Sequence, residues 1–146
     1  MELKVKISKE RAEEIVGEIE KAYNLVNLNA LTGFSANEEK EEAMNNAKKL
    51  LVQGLMVGLL EFKPETRQII QNLNEPLVLG EHKADRLNYA SKKVKAYHLK
   101  TLTGANGGFD ELEILESVTG TPKKLLTELS TFDYEMAGSV LTLFLA

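Results

Sequence analysis

From residue 8 to about residue 58 the apolar positions recur at three- and four-residue steps, the spacing that gathers them on one stripe of an α-helix. A short stretch of strand character, Leu3 to Ile7, precedes them. Ser8 can then cap a helix whose face is Ala12, Ile15, Val16, Ile19, Tyr23 and Val26. The expected helix is about 20 residues long, and the Asn-rich run Asn24 to Asn29 followed by Thr32-Gly33 should end it, because Asn and Gly tolerate left-handed geometry. Ser35 and Glu38 have capping-box spacing and open a second long helix, with Glu38, Glu39, Glu41 and Glu42 at its positive start. Its face, Ala43, Ala47, Leu50, Leu51, Gly54, Leu55 and Gly58, becomes nearly continuous toward the end, which marks this helix as the expected centre of the core.

From Leu59 the period changes to two. Leu59 to Phe62, a turn at Lys63-Pro64-Glu65-Thr66, and Arg67 to Leu73 predict one hairpin; Leu77-Val78-Leu79, a turn around Gly80-Glu81-His82, and Ala84 to Tyr89 predict another. Pro76 belongs at a strand start or edge, where its missing N–H is harmless. The last third returns to helices. Ser91 caps a basic helix over Lys92 to Leu102, and Thr103 to Gly108 forms a Gly-rich loop. Asp110 with Glu113 and Phe109 with Ile114 have the spacings of a capping box and a hydrophobic staple. Thr121-Pro122 reads as a cap followed by proline at the first helical position. A final helix from Thr131 to Leu145 sets Phe132, Met136, Val140, Leu141 and Phe144 on one face. The expected fold is α+β and helix-rich: two long N-terminal helices, a small central antiparallel sheet of two hairpins, and a C-terminal cluster of three to four short helices. One domain is expected over 1–146, with a helical part at 8–58, the hairpins at 59–90 and a second helical part at 91–146.

Composition narrows the class. At 146 residues, with 43% hydrophobic and 27% charged positions, the chain can bury one core without staples. The absence of cysteine excludes disulfides, thiolate nucleophiles and cysteine-ligated zinc. The N-terminus lacks the pattern of a signal peptide, and the most apolar run, Leu50 to Leu60, has 11 residues where a membrane span needs about 20, so a cytoplasmic location is expected. The net charge of −4 argues against general affinity for nucleic acid. Its distribution is uneven. Residues 81–100 hold six bases and two acids, a local +4, whereas residues 101–146 hold two bases and seven acids, a local −5. Such runs serve as solvated helix faces or as a docking polarity.

Catalytic patterns are missing from the sequence. His82 and His98 stand 16 residues apart without HExxH or a neighbouring carboxylate set, and there is no nucleophile elbow, Walker A sequence or dinucleotide fingerprint. The Glu38 to Glu42 acids are explained by the helix dipole. Glu111 to Val118 and Pro122 to Leu129, joined by Thr119-Gly120-Thr121, could be drawn as a helix-turn-helix, but that segment is acidic and its second helix offers only Lys123 and Lys124. Neither a metal nor a cofactor is expected. Gly54 and Gly58, four apart on one face, would admit either a second copy of the chain, giving a homo-oligomer, or close packing within one chain; the second is favoured.

The second half carries an ordered set of short motifs. Leu73-Asn74-Glu75-Pro76-Leu77 runs through Leu79-Gly80 to Asp85-Arg86-Leu87-Asn88-Tyr89. Val118-Thr119-Gly120, Leu126-Thr127-Glu128-Leu129, Asp133-Tyr134 and a closing Leu143-Phe144-Leu145 follow. In this order they resemble the small tail assembly chaperones of tailed bacteriophages and prophages, whose pattern runs from a proline-containing strand through a hairpin, a "TG" helix start and an "L-S-x-x-D" stretch to a terminal phenylalanine-leucine. The resemblance covers 73–146, and the two N-terminal helices lie outside it. It implies a non-enzymatic helper in the bacterial host cytoplasm, active in virion morphogenesis, whose partner is a long helical tape-measure-type tail protein and which has no membrane or nucleic-acid partner.

Candidate partner contacts are the basic helix, through Lys92, Lys93, Lys95 and Lys100, and the terminal helix, through Phe132, Met136 and Phe144; the latter three serve equally well as core. A second reading of another class is a small inhibitor or regulator encoded by a mobile element that blocks a host protein or nucleic-acid complex through charged surfaces. A chaperone that buries apolar surface should bind with little salt dependence, and a charge-driven inhibitor should lose affinity steeply between about 50 and 200 mM salt.

Overall fold

A computed structural model of the chain describes residues 3–23, 38–89 and 111–144. Within these lie five helices and one three-stranded antiparallel sheet, in the order α1 (Lys9–Ala22), α2 (Glu38–Val57), β1 (Leu60–Lys63), β2 (Gln68–Leu79), β3 (His82–Asn88), α3 (Glu111–Thr119), α4 (Lys123–Leu126) and α5 (Thr131–Phe144). This corrects the expected architecture of two long N-terminal helices over two hairpins. The first helix has 14 residues, and the two hairpins share their middle strand.

Helix α1 starts as its sequence dictates, with the Ser8 hydroxyl accepting the Arg11 N–H at 3.1 Å. It stops at Tyr23 because that residue is held by tertiary contacts. The Tyr23 hydroxyl donates to the Arg67 carbonyl at 2.6 Å in the β1–β2 turn, and its ring meets Phe144 with centroids 4.8 Å apart. The Leu3–Ile7 stretch is not a strand. The Lys6 and Ile7 N–H groups both donate to the Met56 carbonyl, at 2.6 and 3.3 Å, one of the carbonyls that the last turn of α2 leaves without a helical partner. Gly58 then turns the chain with φ 80°. The Leu59 N–H reaches back to Gly54 O at 2.9 Å and the Gly58 N–H to Leu55 O at 3.4 Å, the paired bonds of a Schellman ending.

Strand β1 pairs with the first part of β2, from Leu60 opposite Gln71 to Lys63 opposite Gln68. Strand β2 continues to Leu79 and pairs with β3 along most of its length. The Asn74-Glu75-Pro76 segment, read from sequence as the gap between two hairpins, is a bulge inside this strand: Asn72 faces Arg86 and Leu77 faces Ala84, so Leu73 to Pro76 stand opposite the single residue Asp85. Pro76 therefore sits where no ladder bond is asked of it. Alternation puts Leu60, Ile69, Gln71, Leu73, Leu77, Leu87 and Tyr89 among the buried residues, and the helices cover that face.

The terminal helix, not α2, is the most enclosed element. Asp133, Met136, Ala137, Ser139, Val140, Leu141, Leu143 and Phe144 are all buried, covering far more than the one face expected from spacing. Met136 lies against Gly54 so closely that a Cβ there would stand 3.0 Å from its sulfur and methyl and from Leu60. That contact is the close intrachain approach for which the glycine was singled out. Ser139 satisfies its hydroxyl on the Met136 carbonyl at 2.7 Å.

A polar network crosses this core. The Asp133 carboxylate, 1% exposed, accepts the Asn74 N–H at 2.9 Å on Oδ1 and the Glu75 N–H at 3.0 Å on Oδ2, the two backbone donors that the bulge takes out of the ladder. Ser130 Oγ stands 3.1 Å from the same Oδ2 and accepts the Asp133 N–H at 3.1 Å, which caps α5. Gln71 donates to the Asp133 carbonyl at 3.0 Å and accepts the Tyr89 hydroxyl at 2.7 Å. No buried side-chain nitrogen or oxygen among the described residues is left without a partner.

Asp133→Ala strands two donors of the bulge and removes a cap contact, so a loss of about 3 kcal/mol or more is expected in urea unfolding. Asp133→Asn keeps one acceptor oxygen and should lose less; equal losses for the two would show that the bulge does not depend on this clasp. Burial, and secondarily the Asp133 charge, raise the Tyr89 phenol far above its usual value of 10, and burial pushes Tyr23 up to about 12 against the opposing pull of Arg67. The folded chain thus holds protons that the unfolded chain releases above pH 10. This contribution to stability is complete below that pH and declines as pH rises from 10 through 12. The urea midpoint of Tyr23→Phe should fall less steeply over that interval than that of the unmodified chain, and parallel curves would show that Tyr23 ionises freely in the folded state.

Candidate docking cleft

Beyond Leu77 the β2–β3 hairpin overhangs the core. Leu77 is fully buried, but Leu79, two positions along on the same face, is 39% exposed. Gly80, with φ 63°, makes the two-residue turn that pairs Leu79 with His82, and Ala84 lies opposite Leu77. The facing wall is the corner between α3 and α4. Gly120 leaves α3 with φ 72°, its N–H returning to Glu116 O at 2.9 Å, and Thr119 Oγ1 accepts the Thr121 N–H at 3.2 Å. Pro122 occupies the cap position of α4 itself, one place earlier than the sequence reading gave, and its carbonyl accepts the Leu125 and Leu126 N–H groups at 3.0 Å. The Glu116 carboxylate accepts the Lys123 N–H, supplying the cap that a proline side chain cannot.

Between these walls lies a cleft of about 420 Å³. Leu79, Ala84, Pro122 and Leu125 give it an apolar lining; His82, Lys83, Gly120, Thr121 and Lys124 complete it, with register pairing Lys83 to Val78 on the sheet face away from Leu79. Among the described residues no carboxylate lines it. Lys123 is paired with Glu113 at 3.1 Å, whereas His82, Lys83 and Lys124 make no ion pair among the described residues. Such a surface can seat an apolar side chain.

The residues proposed from sequence as partner contacts fall elsewhere. Lys92, Lys93, Lys95 and Lys100, with His98 and the Gly-rich segment, lie outside the described residues. Phe132, in the first turn of α5, is 43% exposed and available. Met136 and Phe144 are 2% and 1% exposed. Phe144 stands between Tyr23 and Tyr89, with ring centroids 4.8 and 6.2 Å away, so neither offers surface to a partner while the chain is folded. Lys124 belongs to the segment that could be drawn from sequence as a poor DNA-reading helix; with one turn of helix in α4, no reader helix exists in that segment. One signal did mark the cleft: three successive apolar residues, Leu77-Val78-Leu79, at the end of a strand whose two faces cannot both be core.

No group of three or more His, Cys, Asp or Glu among the described residues is placed to hold a metal, and no helix among them is long and apolar enough to cross a membrane. No family model, curated protein or solved structure matches the chain.

The division between surface and core on α5 has a direct consequence. Phe132→Ser should change stability by no more than about 0.5 kcal/mol, and Phe144→Ala should cost about 3–5 kcal/mol, both read from urea unfolding. A comparable loss at both positions would place Phe132 in the packed interior.

Proposed function

We propose that this chain is a non-enzymatic assembly chaperone of the small phage-tail type, acting in the bacterial host cytoplasm and holding a long helical tail protein before the tail is built. The observation that carries this reading is the open apolar cleft between the hairpin overhang and the α3–α4 corner, a surface suited to a side chain from a protein partner. Three of the ordered motifs of the second half support it, because they shape the strand and the corner that bound that surface or fasten α5 to that strand. Pro76 lies in the β2 bulge, Thr119-Gly120 closes α3 at the rim, and Ser130 with Asp133 anchors α5 to the bulge.

The competing reading, an inhibitor encoded by a mobile element, rests on the same unpaired cations and differs in what should hold the complex together. Co-expression of the tagged full chain with the genes that neighbour its own, followed by purification at about 50 and 200 mM salt, separates the two. The chaperone reading expects a long, helix-rich tail protein to stay bound at both concentrations. Retention of a host enzyme or a nucleic-acid complex instead, lost at the higher salt, would replace it with the inhibitor.

A further inference from the structure

We draw no further inference here: the strongest candidate, the apolar wall of the cleft at Leu79 beside the β2–β3 turn, belongs to the site already described, and nothing in the structure shows what covers it.

Discussion

The clasp of the Asp133 carboxylate on the backbone of the β2 bulge is the constraint on which the rest of the structure depends. A strand that accommodates four residues opposite one must abandon ladder bonds, and buried backbone donors without acceptors would cost more than the bulge could recover. Asp133 supplies two acceptor oxygens to consecutive N–H groups from a position that the first turn of α5 makes favourable for a negative charge. Ser130 and Gln71 complete the shell, and Tyr89, just past β3 on the same buried face, extends it. One carboxylate thus fixes where α5 begins, which way it runs against the sheet, and where the middle strand bends.

With its start fixed, α5 lies among α2, β2 and α3 and is covered on most sides, which explains why its apolar residues do not form a single stripe. The close approach of Met136 to Gly54 is part of the same arrangement. Helix α1 is fastened at both ends of its neighbours' turns: Tyr23 bonds to the β1–β2 turn and stacks obliquely on Phe144, and the segment before Ser8 bonds to the end of α2. Side chains that look from sequence like an exposed greasy face are spent on this interior. Among the described residues the apolar surface left for a partner is correspondingly small and local.

The bulge also accounts for that surface. By bending β2 between Asn72 and Leu77, it carries the outer half of the β2–β3 hairpin past the helices, so the inner face at Leu79 meets the α3–α4 corner across open space instead of a packed side chain. The same corner is held by side-chain bonds to backbone, from Thr119 and Glu116, which keep the second wall in place without filling the gap. The core and the cleft are two consequences of one irregular strand.

Local chemistry was legible in the sequence wherever a few neighbouring residues decide the outcome. The Ser8 cap, the acid-rich start of α2, the turns at Pro64 and Gly80, and the positions of the helices from Glu111 onward follow from spacing and from the backbone preferences of Ser, Pro and Gly. The split of the middle strand into two was a misreading, because Asn-Glu-Pro ordinarily interrupts a ladder and nothing nearby in sequence announces that an aspartate about 58 residues away will accept the stranded donors. The spacing of Ser130 and Asp133 was visible as a motif, but only the fold turns it into the hub of the core. Which apolar residues of α5 are interior and which are surface was likewise undecided, since a helix covered on most sides and one covered on a single side can share the same periodicity. The cleft was the least legible feature: its walls come from segments about 40 residues apart and meet only when the hairpin overhang and the α3–α4 corner face each other. Short-range spacing determined the elements of this protein, and long-range hydrogen bonding between a carboxylate and a distorted strand decided how they are joined and what surface they leave open.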